Sequence, residues 1–279
     1  MPRNNQRRTK SAAKKESLEA QKTPMGSVLD FVTPTEFVDL PSQGKFYPED
    51  HPFHNKDTIE IRYMTAKDED ILTNKTLLRK GIALEKLLEN ILSDSNVDPG
   101  TLLIGDRNAI IVAARTTGYG PVYDTSVSCP SCQTNIRHKF NLANAKINNG
   151  SIKGNNNITK TDEGTFIVKL PLTKVNAEVR LLTGQDELEL SKNAKQEDSS
   201  IFENVYTSQL QRIIVSLNEE DDRGVINKFV ELMPAHDSRY LREAHAKATP
   251  NIDLTQDFVC SNCGHEQEME VPFNTDFFW

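Results

Sequence analysis

Apolar positions in the first half of the chain change from the period of a strand to the period of a helix. Residues 58–63 alternate polar and apolar side chains, which predicts a half-buried strand. Thr65 followed three positions later by Asp68 predicts the capped N-terminus of a helix. Helical periodicity continues through residues 77–92 and resumes after Asp106. We therefore expect one strand followed by several helices.

The second half of the chain shows the same succession. Strands are predicted at residues 166–170 and 177–182. Each half then ends in two strand-like segments on either side of a Cys-x-x-Cys element. These patterns predict an α+β protein that is mainly helical, with internally duplicated strand-helix units joined by a strand-rich, zinc-ribbon-like element. The other predicted segments are helices near residues 186–194, 201–217, 225–233 and 238–247, and strands at residues 123–128, 135–142, 254–259 and 266–273.

Two matching segments, residues 61–72 and 179–190, indicate an internal duplication. The interval between an aspartate and the first cysteine of the following pair is also the same in both halves. Short capped helices can resemble one another by chance, but the agreement in order, spacing and cysteines favours two related units. The matched residues are Arg62 with Arg180, Thr65 with Thr183, Asp68 with Asp186, Glu69 with Glu187, Leu72 with Leu190, Asp106 with Asp237 and Cys129 with Cys260.

Changes of composition divide the chain into five segments. The first is polar and basic, and we expect it to be disordered when free because it cannot bury enough apolar surface. Proline, glycine and spaced aromatic residues predict an extended arm after it. The predicted organisation is a disordered basic tail at residues 1–28, an extended arm at 29–57, a first repeat with the first cysteine pair at 58–143, a polar loop at 144–164, and a second repeat with the second cysteine pair and an aromatic C-terminus at 165–279.

Charge and hydropathy narrow the class of protein. The 279 residues carry a formal charge of −7, although the tail is rich in lysine and arginine. No run approaches the roughly 18 consecutive apolar residues of a membrane-spanning helix, so we predict no membrane association. The basic start has no apolar segment of a secretory signal peptide behind it. We therefore expect the cysteines to lie in reducing cytosol, where Cys-x-x-Cys elements favour metal or redox chemistry over disulfides.

Cys129, Cys132, Cys260 and Cys263 form the two Cys-x-x-Cys elements. Tetrahedral zinc takes four ligands, and two such turns supply four thiolates. We predict that these cysteines hold one structural zinc ion. The unusual feature is that the two pairs are much farther apart in sequence than the pairs of a contiguous zinc motif.

Other interpretations of the cysteine pairs stay open at this point. The thiols can be free, or one pair can be redox-active, although neither pair stands between a strand and a long helix. His138 and His265 are close enough in sequence to be alternative metal ligands. We interpret both as solvated turn residues because four cysteines already complete a zinc site.

Recognisable catalytic motifs are absent from the sequence. There is no phosphate-binding loop, no His-Glu-x-x-His and no Gly-x-Ser-x-Gly element. The carboxylate pairs Asp68 with Glu69 and Asp186 with Glu187 fall in the first turns of helices, where the helix dipole accounts for them. A zinc ion with four cysteine ligands leaves no open coordination position. We predict neither an enzymatic activity nor a small-molecule substrate.

Both ends of the chain are candidates for contacts with other molecules. The basic tail can attract nucleic acid or an acidic protein surface by charge, but it lacks the aromatic residues on which bases stack. A solubilising or partner-docking tail is therefore favoured over nucleic-acid binding. Phe277, Phe278 and Trp279 are costly to leave in water, so we expect them to dock on the chain's own body or on a partner.

Three longer segments, the two cysteine pairs and the aromatic end follow one another in a distinctive order. The segments are Leu40-Pro-Ser-Gln-Gly-Lys-Phe-Tyr-Pro-Glu-Asp-His-Pro52, Ile61-Arg-Tyr-Met-Thr-Ala-Lys-Asp-Glu-Asp-Ile-Leu72 and Gly105-Asp-Arg-Asn-Ala-Ile-Ile-Val-Ala-Ala-Arg115. In this order they resemble baseplate hub subunits of T4-like contractile-tailed bacteriophages. The resemblance implies a non-enzymatic virion or tail-assembly protein that binds other baseplate or tail proteins. It also implies a location in the tail baseplate of the virion, with assembly in the host cytoplasm.

The leading hypothesis is therefore a structural or assembly subunit of a phage tail baseplate hub. Partner contacts are expected from the arm at residues 31–47, from acidic helical surfaces and from the aromatic C-terminus. The alternative is a zinc-ribbon nucleic-acid-binding regulator, which the basic tail favours and the net acidity of the body disfavours. A redox enzyme or metalloenzyme would need an accessible thiol or an open metal position.

Overall fold

The structure, a computed structural model, describes most of the chain after the basic tail. Within it, Thr35–Trp279 form one unit that is densely connected by internal contacts. The predicted tail at residues 1–28 lies outside the described residues, as does Phe31 of the predicted arm. The described residues are 33–150, 157–196, 205–272 and 277–278.

A strand pair, four helices and a hairpin follow one another in the first half. Thr65 is the N-cap of the first helix and forms a capping box with Asp68, as the sequence predicts; the Thr65 N–H and hydroxyl both donate to the Asp68 carboxylate. Asn74 caps the next helix, and Gly81 ends it in the left-handed conformation. The elements are β1 (Thr35–Asp39), β2 (Thr58–Arg62), α1 (Ala66–Thr73), α2 (Lys75–Lys80), α3 (Ala83–Ile91), a 3₁₀ turn (Pro99–Thr101), α4 (Ile104–Tyr119), β3 (Val122–Ser128) and β4 (Asn135–Asn141).

The second half has the same order of elements with additional short strands. Asp222 caps its third helix by accepting a hydrogen bond from the Val225 N–H. The elements are a 3₁₀ turn (Leu142–Asn144), β5 (Lys146–Asn148), β6 (Ile158–Lys160), β7 (Phe166–Lys169), β8 (Asn176–Val179), α5 (Gly184–Gln196), α6 (Val205–Ile213), β9 (Ile214–Leu217), α7 (Arg223–Leu232), α8 (Ala235–Ala248), β10 (Asn251–Asp253), β11 (Thr255–Val259) and β12 (Glu266–Glu270).

The strand pairs of the described residues are all antiparallel. The largest sheet has the order β6-β7-β8-β9, and the other sheets are the two-stranded pairs β1-β2, β3-β4, β5-β10 and β11-β12. The β5-β10 pair joins the two halves just before the second hairpin begins. None of the described helices has the length and apolar character that crossing a membrane requires.

The prediction of a mainly helical protein is wrong. Among the described residues, 39% are helical and 26% lie in strands of several small sheets, so the fold is α+β with substantial strand content. One cause is the segment 201–217, which the apolar pattern predicts as a single helix. α6 ends at Ile213, and Ile214–Leu217 forms β9 on the edge of β8. A short apolar run suits the end of a helix or a buried strand equally well, and pairing with β8 decides between them.

α4 lies in the middle of the apolar core. Ile110 and Ala114 on this helix are fully buried. Gly105 in its first turn is so close to the backbone carbonyl of Pro250 that an added Cβ atom would lie 2.0 Å from it. The second half therefore packs directly against the helix that leads into the first cysteine hairpin.

The C-terminal aromatic residues dock on the body of the chain. Phe277 and Phe278 are buried, whereas Trp279 lies outside the described residues. The buried Arg115 guanidinium donates to the backbone carbonyl of Phe277 at 2.8 Å and to that of Val122 at 3.2 Å. The end of α4, the start of β3 and the C-terminus are thus joined by one side chain.

Candidate metal centre

Two β-hairpins carry the four cysteines. β3 and β4 form the first hairpin, and the connection between them contains Cys129 and Cys132. β11 and β12 form the second hairpin, and their connection contains Cys260 and Cys263. Each hairpin follows a long helix, α4 or α8, in the same order along the chain.

The two hairpin connections have the same backbone hydrogen bonds. In the first, the Cys129 N–H donates to the Thr134 carbonyl, and the Gln133 N–H donates to the Cys129 carbonyl. In the second, the N–H groups of Cys260 and Gly264 donate in the same pattern. Gln133 and Gly264 both have positive φ, 58° and 70°. Each turn therefore places one residue in the left-handed region, which glycine adopts most readily.

Polar and aromatic contacts hold the hairpins against each other. The Gln256 amide accepts from the Asn141 N–H and donates to the Asn141 carbonyl, both at 2.9 Å. The His138 ring packs edge-on against Phe140 and Phe258, with centroid distances of 4.6 and 5.3 Å. His138 thus joins the hairpins by packing.

The four sulfur atoms form a compact cluster between the hairpins. All four lie within 4.8 Å of one another, and this is the group of potential metal ligands that the described residues contain. The Cys129 and Cys263 sulfurs are 3.8 Å apart, as are those of Cys132 and Cys260. Zinc–sulfur bonds of about 2.3 Å in a tetrahedron require sulfur–sulfur distances of about 3.8 Å. A disulfide would instead require about 2.05 Å.

The histidines considered as ligands stand outside this cluster. Neither His138 nor His265 belongs to the group of close ligand atoms. The His265 ring lies beside its own strand, with Nε2 3.4 Å from the Gln267 side-chain oxygen. The donor set is therefore four sulfur atoms, which favours zinc or another thiophilic metal.

Hydrogen bonds around the cluster favour ionised sulfur at Cys132 and at Cys260, where a backbone hydrogen bond at Cys263 is the main cause of the lowered pKa. Hydrogen bonds with Thr134 and with the Asn262 side chain lower the pKa of Cys132 to about 5. The Asn262 amide donates to the Cys132 sulfur at 3.6 Å and to the Thr134 hydroxyl at 3.3 Å. The backbone hydrogen bond at His265 lowers the pKa of Cys263, but partial loss of solvation and hydrogen bonds with the other three thiols outweigh it and raise the pKa to about 12. Four thiolates this close repel one another unless a cation lies between them.

Thr134 and Asn262 are site residues that the sequence reasoning missed. Each stands one or two positions from a cysteine and has a side chain that forms hydrogen bonds. That proximity was a usable signal, because groups that hydrogen-bond to metal ligands commonly lie in the same turn.

The aspartates of the two carboxylate pairs, Asp68 and Asp186, form structural ion pairs away from the cysteines. Asp68 accepts two hydrogen bonds from the Arg62 guanidinium, and Asp186 accepts two from Arg180. Both aspartates are buried at helix N-termini, as expected for residues that cap and pair. Among the described residues, neither aspartate belongs to the group of close potential metal ligands.

A family described as T4 bacteriophage base plate protein matches residues 33–279 of this chain. The chain belongs to this family. The match confirms the resemblance seen in the sequence, and it covers all of the described residues, including both cysteine hairpins. No curated protein and no solved structure matches the chain. Membership in the family implies a role in the phage baseplate, a location in the virion tail and contacts with other tail proteins.

Proposed function

We propose that this baseplate protein is a structural or assembly subunit of the tail hub that acts through protein contacts. In this proposal Cys129, Cys132, Cys260 and Cys263 hold one structural zinc ion between the two hairpins. The observation that carries the metal site is the sulfur–sulfur distance of 3.8 Å across the hairpins, which matches the edge of a tetrahedral zinc site. Family membership supports the baseplate role.

A structural rather than catalytic role is supported by the ligand set. Four cysteines complete the tetrahedral coordination of zinc and leave no position for water or substrate. The ion would supply binding energy for folding, because the hairpins are short and expose much of their surface. We therefore propose a protein without catalysis that assembles with its partners in the host cytoplasm.

We also propose that zinc joins two related halves of the chain. The cysteine turns are not the only repeated feature that supports this proposal. The strand pair β1-β2 before α1 resembles the strand pair β7-β8 before α5. Thr35-Glu-Phe-Val-Asp-Leu-Pro41 leads from β1, and Thr165-Phe-Ile-Val-Lys-Leu-Pro171 leads from β7. After each proline, a Ser42 or Thr173 hydroxyl and N–H donate to a buried aspartate, Asp106 or Asp237. In this arrangement the repeats extend over the arm as well.

Metal content tests the zinc proposal. We expect one zinc ion per purified chain by mass spectrometry, and a loss of most of it in Cys129→Ser and in Cys260→Ser, because each variant removes one of four ligands. Ser131→Ala in the same turn is the matched control and should keep the ion. Full zinc content in both cysteine variants would exclude a shared site.

Assembly of baseplates tests the contact role. Phe37 on β1 is 72% exposed, which is unusual for a large aromatic side chain, and it lies in the arm. We expect Phe37→Asp to reduce incorporation into baseplates at least about tenfold while thermal unfolding of the isolated chain is unchanged, because the side chain contributes little to the fold. Phe37→Leu, which keeps an apolar side chain, should assemble. Normal incorporation of the Phe37→Asp variant into baseplates would show that Phe37 of the arm is not part of the contact surface.

A further inference from the structure

A cleft with a volume of about 320 Å³ opens beside α5 and α6 in the second half of the chain. Three arginines line it, although the chain as a whole carries a charge of −7. The side chains that matter here are Arg180, Arg212, Arg223, Glu189, Ser208 and Leu190.

One of these arginines has the same role in both halves. Arg180 donates two hydrogen bonds to Asp186 and one to the next backbone carbonyl. Arg62 makes the same three hydrogen bonds in the first half, with Asp68 as the acceptor. This arginine therefore belongs to the repeated fold.

The residue of the first half that corresponds to Arg212 is Asn90, which carries no charge. In the first half, Leu92 forms a β-bridge with Ile61 on β2. In the second half, Ile214 pairs with Val179 on β8, so Leu92 and Ile214 occupy corresponding positions. Two positions earlier stand Asn90 and Arg212, and each donates to the buried aspartate of its own half. The second half thus has a cation where the first half has a neutral amide.

Arg223 is likewise specific to the second half. The segment Asp98-Pro99-Gly100 in the first half corresponds to Asp222-Arg223-Gly224 in the second. In each segment the aspartate side chain accepts a hydrogen bond from a backbone N–H of the following turn, that of Gly100 or that of Val225. Arg223 therefore takes the place of Pro99. Its Nη1 donates to the backbone carbonyl of Ile214 at 2.8 Å.

The added charges do not cancel. Three positions after the buried aspartate, the first half has Ile71 and the second half has Glu189, which accepts a hydrogen bond from Arg212. Among the described residues that line the cleft, the second half has two added arginines and one added glutamate, which leaves a surplus of one positive charge. In the described part of the chain, Nε and Nη2 of Arg223 and Nη1 of Arg212 donate no hydrogen bond.

We propose that this cleft binds the carboxylate of an acidic side chain from a neighbouring protein. A single negative charge matches the surplus, and the guanidinium groups offer the paired donors that a carboxylate accepts. Leu190 supplies apolar surface for the methylene groups of a glutamate. The carboxylate of Glu189, which also lines the cleft, disfavours a dianion such as phosphate. This inference rests on the proposed function only in taking the neighbour to be a protein.

Binding of an acetylated, amidated tetraglutamate peptide to the full chain tests the proposal. The arginine Nε–H signals are followed by NMR at constant ionic strength, with tetraglutamine and inorganic phosphate as comparison ligands. We expect the Arg212 and Arg223 signals to shift with tetraglutamate alone. Arg223→Gln should weaken binding about tenfold, because it removes a charged donor. Arg239→Gln on α8, where the arginine is exposed and paired with Glu243, is the matched control.

A second variant separates loss of binding from loss of folding. Ser208→Asp introduces a negative charge on the α6 side of the cleft and should abolish tetraglutamate binding while the chain unfolds at the same temperature. Equal binding of tetraglutamine, stronger binding of phosphate, or unchanged affinity in folded Arg223→Gln would each overturn the proposal. Because these readouts use no baseplate partner and no metal, they can fail while the zinc and assembly proposals stand.

Discussion

Two buried aspartates, Asp68 and Asp186, connect the capped start of a helix to the strand before it. Burial alone would raise their pKa values, but hydrogen bonds from arginine and threonine outweigh it, and the pKa of both carboxyl groups is lowered. Asp186 is held more strongly because Arg212 donates to it as well as Arg180. The ionised Asp186 carboxylate thus joins the end of β8, the start of α5 and the end of α6 by hydrogen bonds.

The first residue-scale prediction concerns Asp186. We expect Asp186→Asn to lower the free energy of unfolding by about 3 kcal/mol at pH 7, since it leaves two arginines without their buried partner. Because the pKa is lower in the folded chain than in the unfolded chain, the stabilisation is complete above the unfolded value of about 3.9 and is lost as the pH falls below it. Urea unfolding at pH 7, 5 and 3 measures both effects.

Asp162→Asn, at an exposed turn position, is the control for this experiment. It should leave stability at pH 7 unchanged. The argument fails if Asp186→Asn loses as much stability between pH 5 and pH 3 as the unsubstituted chain, because the lost stabilisation would then come from other groups.

At the scale of single elements, the two cysteine turns have the same backbone conformation but different residues at the position with positive φ. Each needs one residue with positive φ, which is Gln133 in the first turn and Gly264 in the second. A side chain in this region of φ costs on the order of 1 kcal/mol. Gln133 therefore destabilises the first turn by about this amount, whereas Gly264 adopts the conformation in the second turn without that strain.

Substitutions at the two positive-φ positions should therefore differ in their effect on stability. Gly264→Ala should lower the free energy of unfolding by about 1 kcal/mol, since nothing lies within 4 Å of the added Cβ atom and only the backbone conformation is affected. Gln133→Gly should not destabilise the chain. Denaturant unfolding at saturating zinc measures both variants, and an unchanged stability of Gly264→Ala would show that the turn relaxes to another conformation.

Sequence patterns located most elements because their signals are local. The cap at Thr65 and the strands beside the cysteines depend on neighbouring residues, and they occur where the sequence predicts them. β9 could not be predicted in this way, because its strand character comes from pairing with β8, far earlier in the chain. The overestimate of helix content has the same origin.

At the scale of the whole molecule, the cysteine cluster connects segments that are distant along the chain. Cys129 and Cys263 are 134 residues apart and their sulfurs are 3.8 Å apart. In the proposed function the zinc ion closes this long connection, and metal binding is coupled to the folding of both hairpins. The hairpins also touch through Gln256 and His138, so they form one structural unit.

Removal of zinc should consequently loosen both hairpins together. We expect a chelator to increase amide hydrogen exchange in β3, β4, β11 and β12, while the buried residues of α4 stay protected by the apolar core. Hydrogen exchange with mass spectrometry measures this by segment. Cys129→Ser should reproduce the effect in the second hairpin as well as in the first. Exchange that increases in one hairpin alone would indicate that the pairs act independently.

The sequence by itself determined the cap at Thr65, the strands beside the cysteines and the resemblance to baseplate proteins, because each depends on residue types at short, fixed spacings. Only the tertiary structure decided that the four sulfurs meet, that Phe277 and Phe278 are covered by the body, and that Ile214–Leu217 is a strand. Those features depend on contacts between distant segments. The cysteine cluster combines both, since local turns present the thiols and the packing of the two halves brings them to one point.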